Sequence, residues 1–113
     1  MTTSLDGIIK KEIDGVKYTI QLTMESFFKY EDLTNGADLM VDLGLFTESG
    51  TTFGYTRIRN ITHSLLNEHH PDISAKEVSK VMMQMIPDVL EAIKIGIPNI
   101  FGIEQGEPKA KKK

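Results

Sequence analysis

The chain has 113 residues, of which 40% are hydrophobic and 26% are charged, and these proportions are typical of soluble globular domains. It contains no cysteine, which excludes disulfides, thiolate metal sites and cysteine nucleophiles. The net charge of -3 is unevenly placed, since residues 104–113 hold four lysines and two glutamates, which leaves -5 on residues 1–103. An acidic body argues against a nucleic-acid-binding domain, whose basic patch should lie on the folded surface.

The composition predicts a single domain over residues 1–103, followed by a flexible basic tail over residues 104–113. Residues 1–6 lack a basic stretch followed by an apolar run, so we expect no secretory signal peptide. No segment approaches the roughly 20 apolar residues that span a bilayer. Together with the lack of cysteine, these features predict a soluble protein of a reducing cytoplasm.

The first structured unit is predicted to be a β-hairpin. Asp14-Gly15 separates two β-prone runs, residues 8–13 and 16–22, and this dipeptide suits the positive φ angles of a type I′ turn. Apolar and polar residues alternate in the second run, which predicts one buried face and one solvated face. The predicted buried face consists of Val16, Tyr18, Ile20 and Leu22.

Three helices are predicted over the middle of the chain. The first covers residues 24–34, with Thr23 as its N-cap and Asn35-Gly36 at its end. Residues 37–50 follow neither the helical nor the strand period, and we predict a short helix followed by a Glu-Ser-Gly loop. The third helix runs from a cap at Thr51 or Thr52 to about His69, because Pro71 disfavours helix in the residue before it.

The last predicted helix has the clearest start. Ser74-Ala75-Lys76-Glu77 has the pattern of a capping box, and Pro87 should kink the helix. Gly96 and Pro98 are predicted to end it, which leaves residues 97–103 as a separate C-terminal apolar segment. One buried stripe is predicted at Val78, Val81, Met82, Met85, Val89 and Ile93. The fold class is α+β: an N-terminal antiparallel β-hairpin packed on a mainly α-helical body of three to four helices.

No motif in the sequence indicates catalysis or metal binding. Adjacent residues of a helix point about 100° apart, so one ion could not readily take both His69 and His70. The histidines are His63, His69 and His70, and we expect the adjacent pair, His69 and His70, to lie at a solvated helix end. The glycines lack the spacing of a phosphate loop or a dinucleotide fingerprint. We expect a protein that is not an enzyme and has no catalytic residues, metal or cofactor.

The methionines and the C-terminal apolar segment are candidates for partner binding. Methionine is flexible and polarizable, so it suits adaptable surfaces as well as irregular cores. Met82 and Met85 lie on the predicted stripe, so core packing is the alternative role for these two. Met83 lies off the stripe, close to Pro87. The predicted partner-binding residues are Met82, Met83, Met85, Ile97, Ile100 and Phe101.

Two segments carry a resemblance to a known family. In IDGVKYTIQLTMESFFKYEDLTNG a hairpin leads into a helix, and in LLNEHHPDISAKEVSKVM a Pro-Asp turn joins two helices. In their order and spacing they resemble the small tail assembly chaperones of long-tailed phages and prophages of Gram-positive hosts. The matching residues are Gly15, Tyr18, Ile20, Leu22, Thr23, Pro71, Asp72, Ile73, Ser74, Glu77 and Val78. Residues 43–55 depart from the family pattern because they are richer in glycine.

The resemblance implies a non-catalytic assembly chaperone that binds the phage tape measure protein and keeps it soluble during tail tube polymerisation. It implies the tail tube protein as a second candidate partner, and self-association. Because the body is acidic and no apolar segment is long enough to span a bilayer, we expect neither nucleic acid nor membrane as partners. The implied location is the host bacterial cytoplasm, and the protein would not be retained in the mature virion. Two alternatives remain open: a structural phage tail component, such as a tail tube or head–tail joining protein, and an unrelated cytoplasmic protein-interaction domain.

Overall fold

A computed structural model describes residues 7–102, and the predicted basic tail over residues 104–113 lies outside this range. A two-stranded antiparallel hairpin precedes a helical body, so the predicted α+β class is confirmed. The elements are β1 (Ile9–Ile13), β2 (Val16–Ile20), α1 (Met24–Thr34), α2 (Leu39–Ser49), α3 (Tyr55–Leu66), α4 (Ala75–Val81) and α5 (Ile86–Phe101). Short 3₁₀ segments, Gly50–Phe53 and Met82–Met85, directly precede the α3 cap and α5. Since α4, the second 3₁₀ segment and α5 follow without a loop, the body has four helical units.

β1 and β2 form the hairpin that the Asp14-Gly15 turn predicts. Asp14 and Gly15 have φ angles of 52° and 81°, as a type I′ turn requires, and Ile13 pairs with Val16 beside the turn. The buried side chains are those of Ile9, Ile13, Tyr18, Ile20 and, beyond the strand, Leu22. The predicted burial of Val16 is wrong, because this residue is 47% exposed at an open groove of about 450 Å³ between the hairpin and α4.

Helix α1 begins and ends where the sequence predicts. The Thr23 amide donates to the Ser26 hydroxyl at 3.0 Å, which stabilises the first turn, and Asn35 ends the helix in the left-handed conformation with φ 64°. Ser26 and Tyr30 are the fully buried residues of α1. The inner face of this helix is therefore polar at both of its most enclosed positions.

Helix α2 covers most of the region whose sequence follows no clear period. The Asp38 carboxylate caps the helix by accepting from the Met40 amide at 2.9 Å. One face enters the core through Leu39, Leu43 and Phe46. The predicted helix is confirmed, but the Glu-Ser-Gly loop is wrong in part, because Glu48 and Ser49 complete the last turn of α2.

The predicted start of α3 at Thr51 or Thr52 is wrong. Both threonines lie in the first 3₁₀ segment, where the Thr52 hydroxyl donates to the Ser49 carbonyl at 2.7 Å. The N-cap of α3 is Gly54, whose φ of 118° is accessible to glycine and unfavourable for other residues. The helix ends at Leu66, before the predicted limit at His69.

The C-terminal helical unit starts at Ser74, as predicted. The Ser74 hydroxyl accepts from the Glu77 amide at 3.1 Å, and the Glu77 carboxylate accepts from the Tyr18 hydroxyl at 2.9 Å. Pro87 lies in the first turn of α5, so the helix is interrupted close to the predicted kink. The predicted stripe is confirmed, because Val78, Val81, Met82, Met85, Val89 and Ile93 are all buried.

Helix α5 continues through Gly96 and Pro98 to Phe101, so its predicted end is wrong. Within a helix, proline removes one backbone hydrogen bond and strains the preceding turn. Half-buried isoleucines on either side of Pro98 pack against the core and offset that loss. The helix ends at Gly102, whose φ is 72°, a conformation that glycine readily adopts.

Candidate interaction surface

The structure divides the six predicted partner-binding residues into a buried pair and a more accessible group. Met82 and Met85 are 7% and 0% exposed and belong to the hydrophobic core, in agreement with the alternative role weighed for them. Met83 is 46% exposed. Phe101 is half-exposed, and Ile97 and Ile100 are partly buried against the core. Because α5 separates Met83 from Phe101, these two residues do not share one contact surface.

Phe101 joins the end of α5 to helix α1. Its ring packs edge-on against the ring of Phe27, with 6.3 Å between centroids and 86° between ring planes. Edge-to-face packing at this separation is favourable for aromatic rings. The last turn of α5 is thus anchored on α1, although one side of Phe101 remains open to solvent.

Two further apolar side chains extend this contact along α1. Met24 and Phe28 are 48% and 52% exposed, and their spacing of four residues places them on one face of the helix. Phe27, which contacts Phe101, lies near Met24 because it follows Met24 by three residues. Its neighbour Phe28 points about 100° away from it around the helix. We name Met24, Phe27, Phe28, Ile97, Ile100 and Phe101 the α1–α5 surface. The sequence prediction missed its three α1 residues, although the Met24–Phe28 spacing was visible.

A close backbone approach fixes the position of this surface. A Cβ atom added to Gly96 would lie 2.7 Å from the Leu22 Cβ, closer than real Cβ atoms approach other atoms, and 3.2 Å from its Cδ2, which is tighter than most real contacts. Leu22 directly precedes Thr23, the N-cap of α1, and is buried. Only glycine therefore lets α5 approach the beginning of α1 so closely.

The histidines form structural contacts that the sequence did not predict. His70 Nε2 accepts a hydrogen bond from the Thr19 amide at 2.9 Å, and a His69 ring nitrogen lies 2.8 Å from the Gln21 side-chain oxygen. The predicted solvated helix end is therefore wrong for His70, which holds the outer edge of β2. The third histidine, His63, is 5% exposed inside α3.

Burial governs the protonation of these histidines. Burial lowers the pKa of His70 below its ordinary value of 6.5, and the nearby His69 lowers it further. Burial likewise lowers the pKa of His63, with Lys29 acting in the same direction. Both shifts favour neutral imidazole, which His70 needs in order to accept from the Thr19 amide.

A second buried polar contact links α1 to α2. The Tyr30 hydroxyl donates to the Asp42 carboxylate at 2.5 Å, and the Tyr30 side chain has no exposed surface. Burial and this hydrogen bond raise the pKa of Tyr30 well above its ordinary value. The contact fixes the α1–α2 pair and satisfies a hydroxyl that would otherwise be buried without a partner.

Over residues 7–102, no group of three or more histidine or acidic side chains is arranged to hold a metal ion. Within the same range, no helix is long and apolar enough to cross a bilayer. Comparisons with protein-family models, with curated proteins and with solved structures find no match.

Proposed function

We propose that this protein is a non-catalytic assembly chaperone that binds the phage tape measure protein and keeps it soluble during tail tube polymerisation. The motif order in the sequence suggests this role, and the open apolar area of the α1–α5 surface supports it. Apolar side chains grouped on the surface of a soluble domain commonly mark binding sites. Such a site can cover an apolar helix face of a client without any chemical step.

Three features suit the α1–α5 surface to a helical client. The methionine side chain adapts to different partner shapes, phenylalanine supplies a large apolar contact area, and both Met24 and Phe28 lie on a regular helix. The Phe27–Phe101 contact fixes the base of the surface. An apolar face of a client helix could therefore pack along α1 over Met24 and Phe28, beside Phe101.

The test is co-expression with the tape measure protein of the same phage or prophage, followed by measurement of the client in the soluble fraction. We expect the wild-type chain to increase the soluble fraction several-fold. The variant Phe28→Ser/Phe101→Ser should lose most of this increase, because it removes the two most exposed aromatic rings of the surface. Equal client solubility with and without the wild-type chain would contradict the proposal.

The matched control is Val16→Thr/Tyr55→Ser. Val16 and Tyr55 are 47% and 63% exposed but lie on the hairpin and on α3, away from the α1–α5 surface. This control should retain the wild-type increase in client solubility. A Met83→Ser variant tests separately whether the exposed Met83 contributes to client binding. If both double variants fail equally, the α1–α5 surface is not the client site.

The location in the host cytoplasm and the absence from virions belong to the same proposal. A chaperone should be present in infected cells and missing from purified particles. A tail tube or head–tail joining protein should instead appear in the particles and polymerise or form rings. Mass spectrometry of purified virions distinguishes these two functions directly.

A further inference from the structure

Helix α2 is apolar on two opposite faces, only one of which is covered. Leu39, Leu43 and Phe46 enter the core. Met40, Val41 and Leu45 lie on the opposite side and are 38%, 58% and 42% exposed. A helix that is apolar all round is normally buried. We name Met40, Val41, Gly44 and Leu45 the α2 outer face.

The glycine in the α2 outer face makes it suitable for close contact. A Cβ atom added to Gly44 would meet nothing within 4 Å, so no intramolecular packing requires glycine at this position. Glycine inside a helix destabilises it by roughly 1 kcal/mol relative to alanine. The lack of a side chain leaves a notch between the larger apolar residues, into which a partner side chain can fit.

The charged residues of α2 and its N-cap are all acidic. Residues 24–49, which contain α1 and α2, hold six acidic residues and one lysine, whereas the rest of residues 7–102 holds seven acidic and eight basic residues. Asp38 and Glu48 lie at the two ends of α2, which contains no lysine or arginine. Asp42 is directed inward to Tyr30. The charges beside the outer face therefore favour a basic partner.

We infer that the α2 outer face binds a helical segment of another protein whose apolar stripe is flanked by lysine or arginine. A second copy of this chain fits less well, because antiparallel packing of two α2 helices would place Asp38 of one against Glu48 of the other. This inference concerns a different surface from the proposed client site. It does not depend on the proposed function.

The test uses a fluorescein-labelled amphipathic peptide with leucine on one helical face and lysine on the other. The comparison peptide has glutamate in place of lysine. Fluorescence anisotropy at physiological salt measures both dissociation constants. We expect the full chain to bind the lysine peptide and to show no measurable affinity for the glutamate peptide.

Two uncharged double variants separate the α2 outer face from other exposed apolar positions. Val41→Ser/Leu45→Ser should weaken binding of the lysine peptide by about tenfold or more. Val16→Thr/Leu90→Ser, which changes two exposed apolar residues outside both named surfaces, should leave binding within about twofold. Circular dichroism checks that both fold, and Glu48→Gln should weaken binding and reduce its salt dependence.

Several results would overturn the inference. These are no binding of the lysine peptide, equal binding of the glutamate peptide, an unchanged affinity in Val41→Ser/Leu45→Ser, or an equal loss in both double variants. Light scattering tests whether a second copy of this chain binds the α2 outer face instead. A dimer that Val41→Ser/Leu45→Ser abolishes would assign the face to a second copy of the chain and reject the basic partner.

Discussion

The contact between Gly96 and Leu22 leads to a sharp prediction about stability, with Gly44 as its internal control. Both glycines lie inside α-helices, so replacing either with alanine removes the same helix-propensity penalty of roughly 1 kcal/mol. The environments differ, since an added Cβ meets nothing within 4 Å at Gly44 and lies 2.7 Å from the Leu22 Cβ at Gly96. The Leu22 Cβ is bonded directly to the backbone, so a change of the Leu22 rotamer cannot relieve the clash.

The expected magnitudes follow from these distances. Overpacking a well-packed core destabilises by about 1–3 kcal/mol. After the propensity gain, Gly96→Ala should lower the free energy of unfolding by about 1 kcal/mol. Gly44→Ala should raise it by about the same amount. The two alanine variants should therefore differ by about 2 kcal/mol.

The assay is equilibrium unfolding in guanidinium chloride, followed by circular dichroism at a helix-sensitive wavelength. A shift in midpoint with an unchanged slope reports a change in stability. Equal stability of the two variants, or a Gly96→Ala variant more stable than wild type, would refute the close approach between α5 and the start of α1. Gly96→Ala should also reduce the increase in client solubility that is attributed to the α1–α5 surface.

Three further predictions concern hydrogen bonds seen in the structure. The pKa of His70 is lower in the fold than in the unfolded chain, so its contribution to stability is present above about pH 6.5 and is lost as the pH falls toward the folded value. His70→Gln retains an acceptor for the Thr19 amide and should reduce the loss of stability between pH 7.5 and 5; an unchanged slope in denaturant titrations would contradict this. Tyr30→Phe should destabilise by about 1–3 kcal/mol, because a hydrogen bond to a carboxylate is lost, and thermal unfolding would show it. Ser74→Ala should destabilise by about 1 kcal/mol through loss of an N-cap, whereas Ser79→Ala on the exposed side of the same helix should change the melting temperature little.

Local signals in the sequence were sufficient to predict most element types. The Asp14-Gly15 turn, the Asn35 end and the Ser74 start depend on φ angles and caps that a few neighbouring residues determine. The predictions that were wrong depend on distant contacts. Pro98 stays helical because the flanking isoleucines pack against the core, and no local pattern reveals that packing.

The histidines show the same limit. A His-His pair before Pro71 is typical of a solvated helix end when only neighbouring residues are considered. In the fold this pair lies beside β2, a strand about 50 residues earlier in the chain. Its ring nitrogens bond to Thr19 and Gln21, so its role depends on a tertiary contact that periodicity does not encode.

The distribution of polar and apolar residues on α1 supports the idea that its surface has a role beyond folding. Ser26 and Tyr30 have no exposed surface, while Met24 and Phe28 are about half exposed. The buried pair is satisfied, because Ser26 accepts from the Thr23 amide and Tyr30 donates to Asp42. Burying phenylalanine would stabilise the monomer by about 1.5–3 kcal/mol relative to leaving it exposed. Folding alone therefore gives no reason to hold Phe28 outside, whereas binding another protein does.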